Sequence, residues 1–323
     1  MIIIGSGMAG LLAGAVNQTA IIFEAGENLP DNHKAVFRLR TDAISRFTGI
    51  KMKEVTVHKA IWFEGQERQI TPRLANYYSM KVIGCIQQRS ILNVAPAKRF
   101  IPPRNFVDQL AKKCEGRIRF EFKVERINKS FIEFYKQPLC SKCTDRKDTP
   151  VISTMPMPVL CDAIGHVISR DKDGLKPIKF KTGPIVINQY TIHNCDSYAT
   201  IYYPDPKMSA YRATLDGNRL IVEGVEYLTS AEVHEVMQSF GIKDATGTVI
   251  NQRHKAGKMS PLDPDVRQAF IYNVTKDLNV YSLGRYATWR PSVMLDDVFE
   301  DIFMITKLIQ QNDYEKFKYI QGE

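Results

Sequence analysis

Met1-Ile2-Ile3-Ile4-Gly5-Ser6-Gly7-Met8-Ala9-Gly10 opens the chain, and its reading decides the fold. Ile2 to Ile4 is an apolar run long enough for a buried strand, and Leu11 to Val16 is a helix-forming run. Between them lies Gly5-x-Gly7-x-x-Gly10, which in a strand–turn–helix setting is the fingerprint of a dinucleotide site. The three glycines do different things. Gly5 allows the tight turn, Gly7 lets a pyrophosphate approach the backbone, and Gly10 lets helix and strand pack closely. The helix N–H groups that remain unpaired then point at the anion. A second apolar strand, Ala20 to Phe23, delivers Glu24 at the distance where a carboxylate accepts hydrogen bonds from ribose hydroxyls.

Composition sets the outer bounds. The chain has 323 residues, 44% hydrophobic and 24% charged, which is enough to bury a sizeable core in one large or two interleaved domains. No apolar run approaches the roughly 20 residues of a membrane helix, and the apolar start is too short for a signal peptide. A cytoplasmic protein with no membrane association is therefore expected. Six cysteines are too sparse for a disulfide framework, and Cys140-x-x-Cys143 lacks the further ligands of a zinc site, so no metal is assigned. The formal charge is +9, and between Lys81 and Lys129 there are twelve Lys/Arg against four Asp/Glu. Such a stretch is either a solvated basic face or a surface for DNA or another polyanion.

Further along, Asn28 to His33 reads as loop and Phe37 to Arg40 as a short strand with Arg38 and Arg40 on one side. Residues 51–104 break the βαβ rhythm and read as an insertion over the cofactor. Ile118 to Val124 and Ser130 to Tyr135 read as strands of a meander, with Cys140 to Asp148 a polar turn before the strand Val151 to Thr154. From Gly183 to Val225 strand formers dominate, and Asp216-Gly217-Asn218 marks a hairpin, so an antiparallel sheet is expected. Near the end, Asn279 to Leu283 is a strand followed by Gly284-Arg285 and a helix from Ser292 to Ile309. That junction offers a second helix N-terminus and a guanidinium to the same ligand.

With these motifs the chain resembles the flavoproteins with two dinucleotide-binding domains, the group that includes the amine oxidases and UDP-galactopyranose mutase. The features that match are the glycine turn with Glu24, the strand Val151 to Thr154 followed by Pro156, and Gly284-Arg285 before a long helix. The resemblance implies an α/β protein: a Rossmann-like FAD-binding domain from residues 1–50, 105–165 and 250–323, and an interleaved antiparallel-sheet substrate domain from 51–104 and 166–249. It implies FAD held by Gly5, Ser6, Gly7, Met8, Ala9, Gly10, Glu24, Ala25, Arg40, Val124, Thr154, Pro156, Gly284, Arg285, Trp289, Arg290 and Met294. The mutase pattern continues with tyrosines and an acid where this chain has Pro291, Ser292 and Val293, so sugar-ring contraction is the weaker implication.

Amine oxidation needs a cation for an anionic group of the substrate, and Arg290, Arg212 and Arg38 are the candidates. Compact basic flavoproteins of the same group occur in bacteriophages that hypermodify thymine. That narrower resemblance implies a lyase that oxidises the C–N bond of an amino-acid-modified thymine in DNA, leaving an aminomethyl base and glyoxylate. A mutase-like isomerase on a nucleotide sugar and a non-catalytic nucleic-acid-binding protein are the alternatives.

Overall fold

The computed structural model describes every residue except 31–35, 87–89, 136–141, 146–148, 166–167, 172–173, 244–249 and 312–323. The chain forms two units, one from Met1–Lys53, Phe100–Phe180 and Pro261–Glu323, the other from Glu54–Arg99 and Lys181–Ser260.

The first unit is built on a five-stranded sheet in the order Val280–Ser282, Val151–Ser153, Ile2–Ile4, Ile21–Phe23, Ile118–Arg119, with every neighbouring pair parallel. This is the doubly wound, Rossmann-like order. Ile3 sits between Ile22 and Ile152 in register, and the three central residues are fully buried, as two-sided parallel strands require. The helix Met8–Val16 packs on this sheet and against helices Phe106–Lys113 and Leu295–Gln311. Its C-terminal carbonyls are gathered by one residue: Arg117 donates to the carbonyls of Gly14, Asn17 and Ala20, and also to that of Lys113. A cation at a helix C-terminus is favourable on both hydrogen-bond and dipole grounds. Part of the basic stretch is thus structural.

Several expected elements differ from what forms. Phe37–Arg40 is not a strand: Leu39 makes a single bridge to Phe100, and the N–H groups of Arg40 and Thr41 donate to the Asp296 carboxylate instead of to a ladder. The strand expected over 118–124 is two strands, because Glu121 takes a left-handed conformation (φ 64°) and turns the chain. Ile118–Arg119 joins the parallel sheet, and Lys123–Ile127 starts a separate antiparallel sheet with Phe131–Tyr135 and Lys142–Asp145. Cys143 therefore lies in a strand opposite Glu133, not in a polar turn, while Cys140 and residues 31–33 of the expected loop lie outside the described residues. Helices also form at Met157–Ile164 and Pro264–Leu278, and the last helix starts at Leu295 rather than Ser292.

The second unit carries a sheet in the order Ile250–Met259, Thr182–Thr191, Arg219–Gly224, Ala210–Gly217, Ser197–Tyr202, Lys53–Phe63, Gln66–Arg68. Most pairs are antiparallel, but Ser197–Tyr202 runs parallel to Lys53–Phe63, so the sheet is mixed rather than wholly antiparallel. The long excursion of chain between those two strands removes the constraint of a tight hairpin and allows the parallel pairing. Ile250–Met259 pairs with Thr182–Thr191 and so belongs with this sheet, not with the first unit where the 250–323 boundary would put it.

Helix Pro72–Ile83 lays Leu74, Ala75, Tyr78 and Val82 on Ile61, Ile185 and Tyr211. Helix Ser230–Ser239, opened by the Thr229–Glu232 capping box, places Val236 and Met237 on Ala213, Leu215 and Val222, the other face by strand alternation. Lys81 secures the connection between two strands by donating to the carbonyls of Tyr203, Asp205 and Ala210 at 2.9, 2.7 and 2.6 Å.

The tightest approach in the first unit is at Gly10, where a Cβ would stand 1.9 Å from the carbonyl oxygen of Gly5. Backbone cannot step aside as a side chain can. Gly10→Ala is expected to lower unfolding free energy by about 1–3 kcal/mol, the usual range for overpacking, read as a fall in the urea midpoint; an unchanged midpoint would contradict this packing.

Candidate functional site

The strand order reverses direction between Ile2–Ile4 and Val151–Ser153, and a crevice at that point of a doubly wound sheet is where ligands bind. The glycine turn leaves Ile4 there. Gly5 has φ 92°, and a Cβ on it would meet Thr154 Oγ1 at 2.3 Å. Thr154 in turn donates its N–H and its hydroxyl to the Ile4 carbonyl at 2.9 and 2.8 Å, which ties the end of Val151–Ser153 to the first strand. At Gly7 the situation is the opposite: a Cβ would meet nothing within 4 Å. Gly7 caps helix Met8–Val16 without a side-chain hydrogen bond, and the first turn holds no acid. Open space in front of uncapped helix N–H groups is a cradle for an anion.

Glu24 is buried at the end of the second strand and already has partners. Its Oε2 accepts from the N–H and hydroxyl of Ser6, both at 2.7 Å, and its Oε1 accepts from Gly26 N–H at 2.9 Å. A carboxylate has about four lone-pair sites. Three are used on the loop, which locks the turn's shape, and one is left for a ligand hydroxyl. Ala25 beside it is exposed.

The carboxy-terminal junction reaches the same place. Gly284 has φ 96°, and its Cβ position lies 3.0 Å from the Cβ of Ala9. Leu283 N–H donates to the Ser153 carbonyl and Met157 N–H to the Tyr286 carbonyl, so Gly284-Arg285 and Pro156 are drawn together beside the glycine turn. Thr288 closes the following turn through two bonds to the Gly284 carbonyl, and Trp289 is buried in a left-handed conformation (φ 49°) with its ring 4.8 Å from that of Phe180. Such a backbone in a bulky residue stores strain of the kind that collects at functional sites. Beneath, the facing hydroxyls of Ser153 and Ser282, paired in register, are buried without hydrogen-bond partners among the described residues.

Other candidates are placed differently. Arg40 spends its guanidinium on Asp297, and Met294 donates its N–H to the same carboxylate. Asp296 and Asp297 thus fill the N-terminus of the last helix, which is not open to a ligand anion as its sequence position implies. Val124 is buried in the small antiparallel sheet opposite Phe134. Arg38 is half-buried in the first unit. Arg290 donates from Nε to Thr288 Oγ1 and from Nη2 to Asp301, with both charged side chains 11% exposed. Burial raises the Asp301 carboxyl against the pull of Arg290, and burial together with the Arg290 charge lowers Arg267. Arg212 belongs to the second unit and pairs with Glu223. Asp296, Asp301 and Glu223 were not singled out as partners by sequence reasoning, since acids 11 to 256 residues from the groups they hold leave no local signal.

Buried Cys161 is held as a thiol, pushed up to about 12 by burial and the Asp162 charge, which argues against a reactive cysteine. No helix among the described residues is long and apolar enough to cross a membrane.

No family model matches the chain, and no curated protein matches it. Among solved structures it is similar to a CLA-producing fatty acid isomerase from P. acnes, with a TM-score of 0.60 over 95% of this chain and 97% of that one. What the two share is a fold. At 12% identity nothing finer follows from the likeness.

The Arg290–Asp301 pair generates a test. Arg290→Met leaves Asp301 buried without its cation and is expected to cost about 3–5 kcal/mol, while the double change with Asp301→Leu recovers most of that loss. Equal losses in the single and double variants, measured by denaturant unfolding, would show that the pair does not couple.

Proposed function

We propose that the protein is an FAD-dependent oxidoreductase that oxidises the C–N bond of an amine. The observation that carries this reading is the glycine turn at the strand reversal, with open space over Gly7, Glu24 bonded to Ser6 on one side and Gly284 pressed on Ala9 on the other. Its residues suit the cofactor: the N–H groups at Met8 and Ala9 would hold the diphosphate, and the remaining lone pair of Glu24 would orient a ribose hydroxyl. Arg285 and Trp289, fixed by the turn after Gly284, would border the ring system.

When bound, FAD supplies an acceptor for a hydride from the carbon next to an amine nitrogen. The chain's part is to exclude water, keep the amine in position and hold an anionic substrate group, for which Arg290, Arg212 and Arg38 remain the candidates. In the finer form of the proposal the substrate is an amino-acid-modified thymine in DNA. Two-electron oxidation of that C–N bond, with FAD as the acceptor, and hydrolysis would give an aminomethyl base and glyoxylate. The basic stretch offers phosphate contacts to such a substrate, although Arg117 and Lys81 are committed to backbone carbonyls.

A redox-neutral isomerase on the same cofactor is the second reading, favoured by the isomerase that shares the fold. The two differ in electron balance. Purified protein should show flavin absorption, and anaerobic mixing with an N-substituted glycine or with aminated DNA should bleach it under the oxidoreductase reading. Turnover of a substrate without net bleaching would favour isomerisation. Gly7→Leu should leave the thermal midpoint of the flavin-free protein close to that of flavin-free wild type, because the side chain enters open space, yet weaken flavin retention by at least about ten-fold, the effect of roughly 1.4 kcal/mol of lost binding. Colourless wild-type protein that takes up no added FAD would end the proposal.

A further inference from the structure

Lys81, in the last turn of helix Pro72–Ile83, reaches the connection between strands Ser197–Tyr202 and Ala210–Gly217, all within the second unit. Its Nζ donates to three backbone carbonyls, of Tyr203 at 2.9 Å, Asp205 at 2.7 Å and Ala210 at 2.6 Å. An ammonium group has three donors, so each is met by one oxygen. The carboxylates in the neighbourhood are engaged elsewhere. Asp205 Oδ1 accepts from Lys207 N–H at 2.9 Å, and Glu235 accepts from the Trp62 indole at 3.0 Å. Glu232 closes its capping box and takes the N–H of Ser209.

The carbonyls are held in place by bonds that do not involve Lys81. Tyr203 N–H donates to the Tyr211 carbonyl at 2.9 Å, Met208 N–H turns back to the Asp205 carbonyl at 3.2 Å, and Val225 N–H fixes the Ser209 carbonyl at 2.9 Å. Tyr203 and Ala210 are fully buried and Asp205 nearly so. Oxygens that converge at such low solvent access need donors or a cation at their centre. Burial pulls the Lys81 ammonium down to about 7, against the upward pull of Asp205, Glu232 and Glu235. A neutral amine would leave one of the three oxygens bare, because it carries two N–H groups. The distances of 2.6–2.9 Å also sort the ions that would suit the site. They exceed those of calcium, about 2.3–2.6 Å, and magnesium, about 2.0–2.1 Å. Uncharged backbone carbonyls are the ligands that replace the hydration shell of potassium.

We infer that residues 203–210 form a site for a monovalent cation of potassium or ammonium size, and that the chain fills it with its own cation, the Lys81 ammonium. The tether gives the arrangement its use. Lys81 fastens helix Pro72–Ile83 to the connection, and Glu232 of helix Ser230–Ser239 holds the Ser209 N–H of the same connection. Helices on opposite faces of the sheet are thereby joined through one loop, with no ion drawn from solution. No atom of the glycine turn takes part, so the inference stands or falls apart from the flavin reading.

The test compares Lys81→Ala and Lys81→Met with wild type, in the full chain and at matched ionic strength, in the chlorides of potassium, ammonium, ethylammonium and tetramethylammonium. Lys81→Ala removes both the charge and the stem and so opens the site. In tetramethylammonium its thermal midpoint should fall by at least about 5 °C, and the Met208 and Ser209 amides should exchange with deuterium at least about ten-fold faster, as expected when buried carbonyls lose their donors. Potassium, ammonium or ethylammonium should recover at least half of both losses while leaving wild type unchanged. Tetramethylammonium is too large and has no N–H to offer. Lys81→Met keeps the stem in the way, so it should show the losses without the recovery. Equal recovery in the two variants, or none in Lys81→Ala with any of the three small cations, would overturn the assignment. So would a Lys81→Ala protein as stable as wild type in tetramethylammonium, since the carbonyls would then need no cation. If Lys81→Ala is unfolded in tetramethylammonium, folding on transfer to a small cation is the expected result, and failure to fold in all three counts against the site.

Discussion

The close approach of Gly10 to the carbonyl of Gly5 is the constraint from which the first unit's geometry follows. It brings the helix Met8–Val16 hard against the strand before it, and the same turn of backbone aims the helix N–H groups over the strand's end. Thr154 then closes on Ile4, Leu283 on Ser153, and Gly284 on Ala9, each contact using the position fixed by the last. Widening the first contact by a methyl group would shift all of them. Glycine at position 7 plays no part in this tightness, and its place is explained by what must come near it from outside.

Charge is treated in the same economical manner throughout the protein. Of the cations that make the chain basic, several are spent on carbonyls or single carboxylates: Arg117 on a helix terminus, Lys81 on a strand connection, Arg40 and Arg290 on aspartates of the last helix. The net charge of +9 therefore says less about partners than it suggests. What matters for recognition is where a cation keeps a donor open at low solvent access, because there each hydrogen bond is worth more and an unmatched charge costs more.

The parts of the fold that were legible in the sequence are those encoded by contiguous residues. Strand, turn, helix and Glu24 follow one another within 24 residues, and the pairing of Gly284 with this turn follows from a second short motif. The mixed sheet was legible as strands, since alternation and the Asp216-Gly217-Asn218 turn are local, but its one parallel pair was not, because Ser197–Tyr202 meets Lys53–Phe63 only after a long detour. Phe37–Arg40 shows the limit from the other side. Its residues favour a strand, yet the carboxylate of Asp296, distant in sequence, takes the N–H groups that a ladder would need. The helix Met157–Ile164 was hidden by its prolines, which are tolerated because Pro158 falls in the first turn, where no N–H is required.

The same distinction separates the cofactor crevice from its substrate side. A diphosphate is recognised by backbone, so its site is written as glycines and can be read directly. An anionic substrate group is recognised by a side chain whose availability depends on which acid faces it, and that acid is supplied by strand register or by a helix face. Arg212 meets Glu223 because two strands pair at that offset, and Arg290 meets Asp301 because the last helix carries that acid on its buried side. A slip of one residue between the strands carrying Arg212 and Glu223 would put them on opposite faces and leave two isolated charges in a hydrophobic sheet. Residue type proposes an arginine for such a role, and only the pairing of strands decides whether it has a donor to spare.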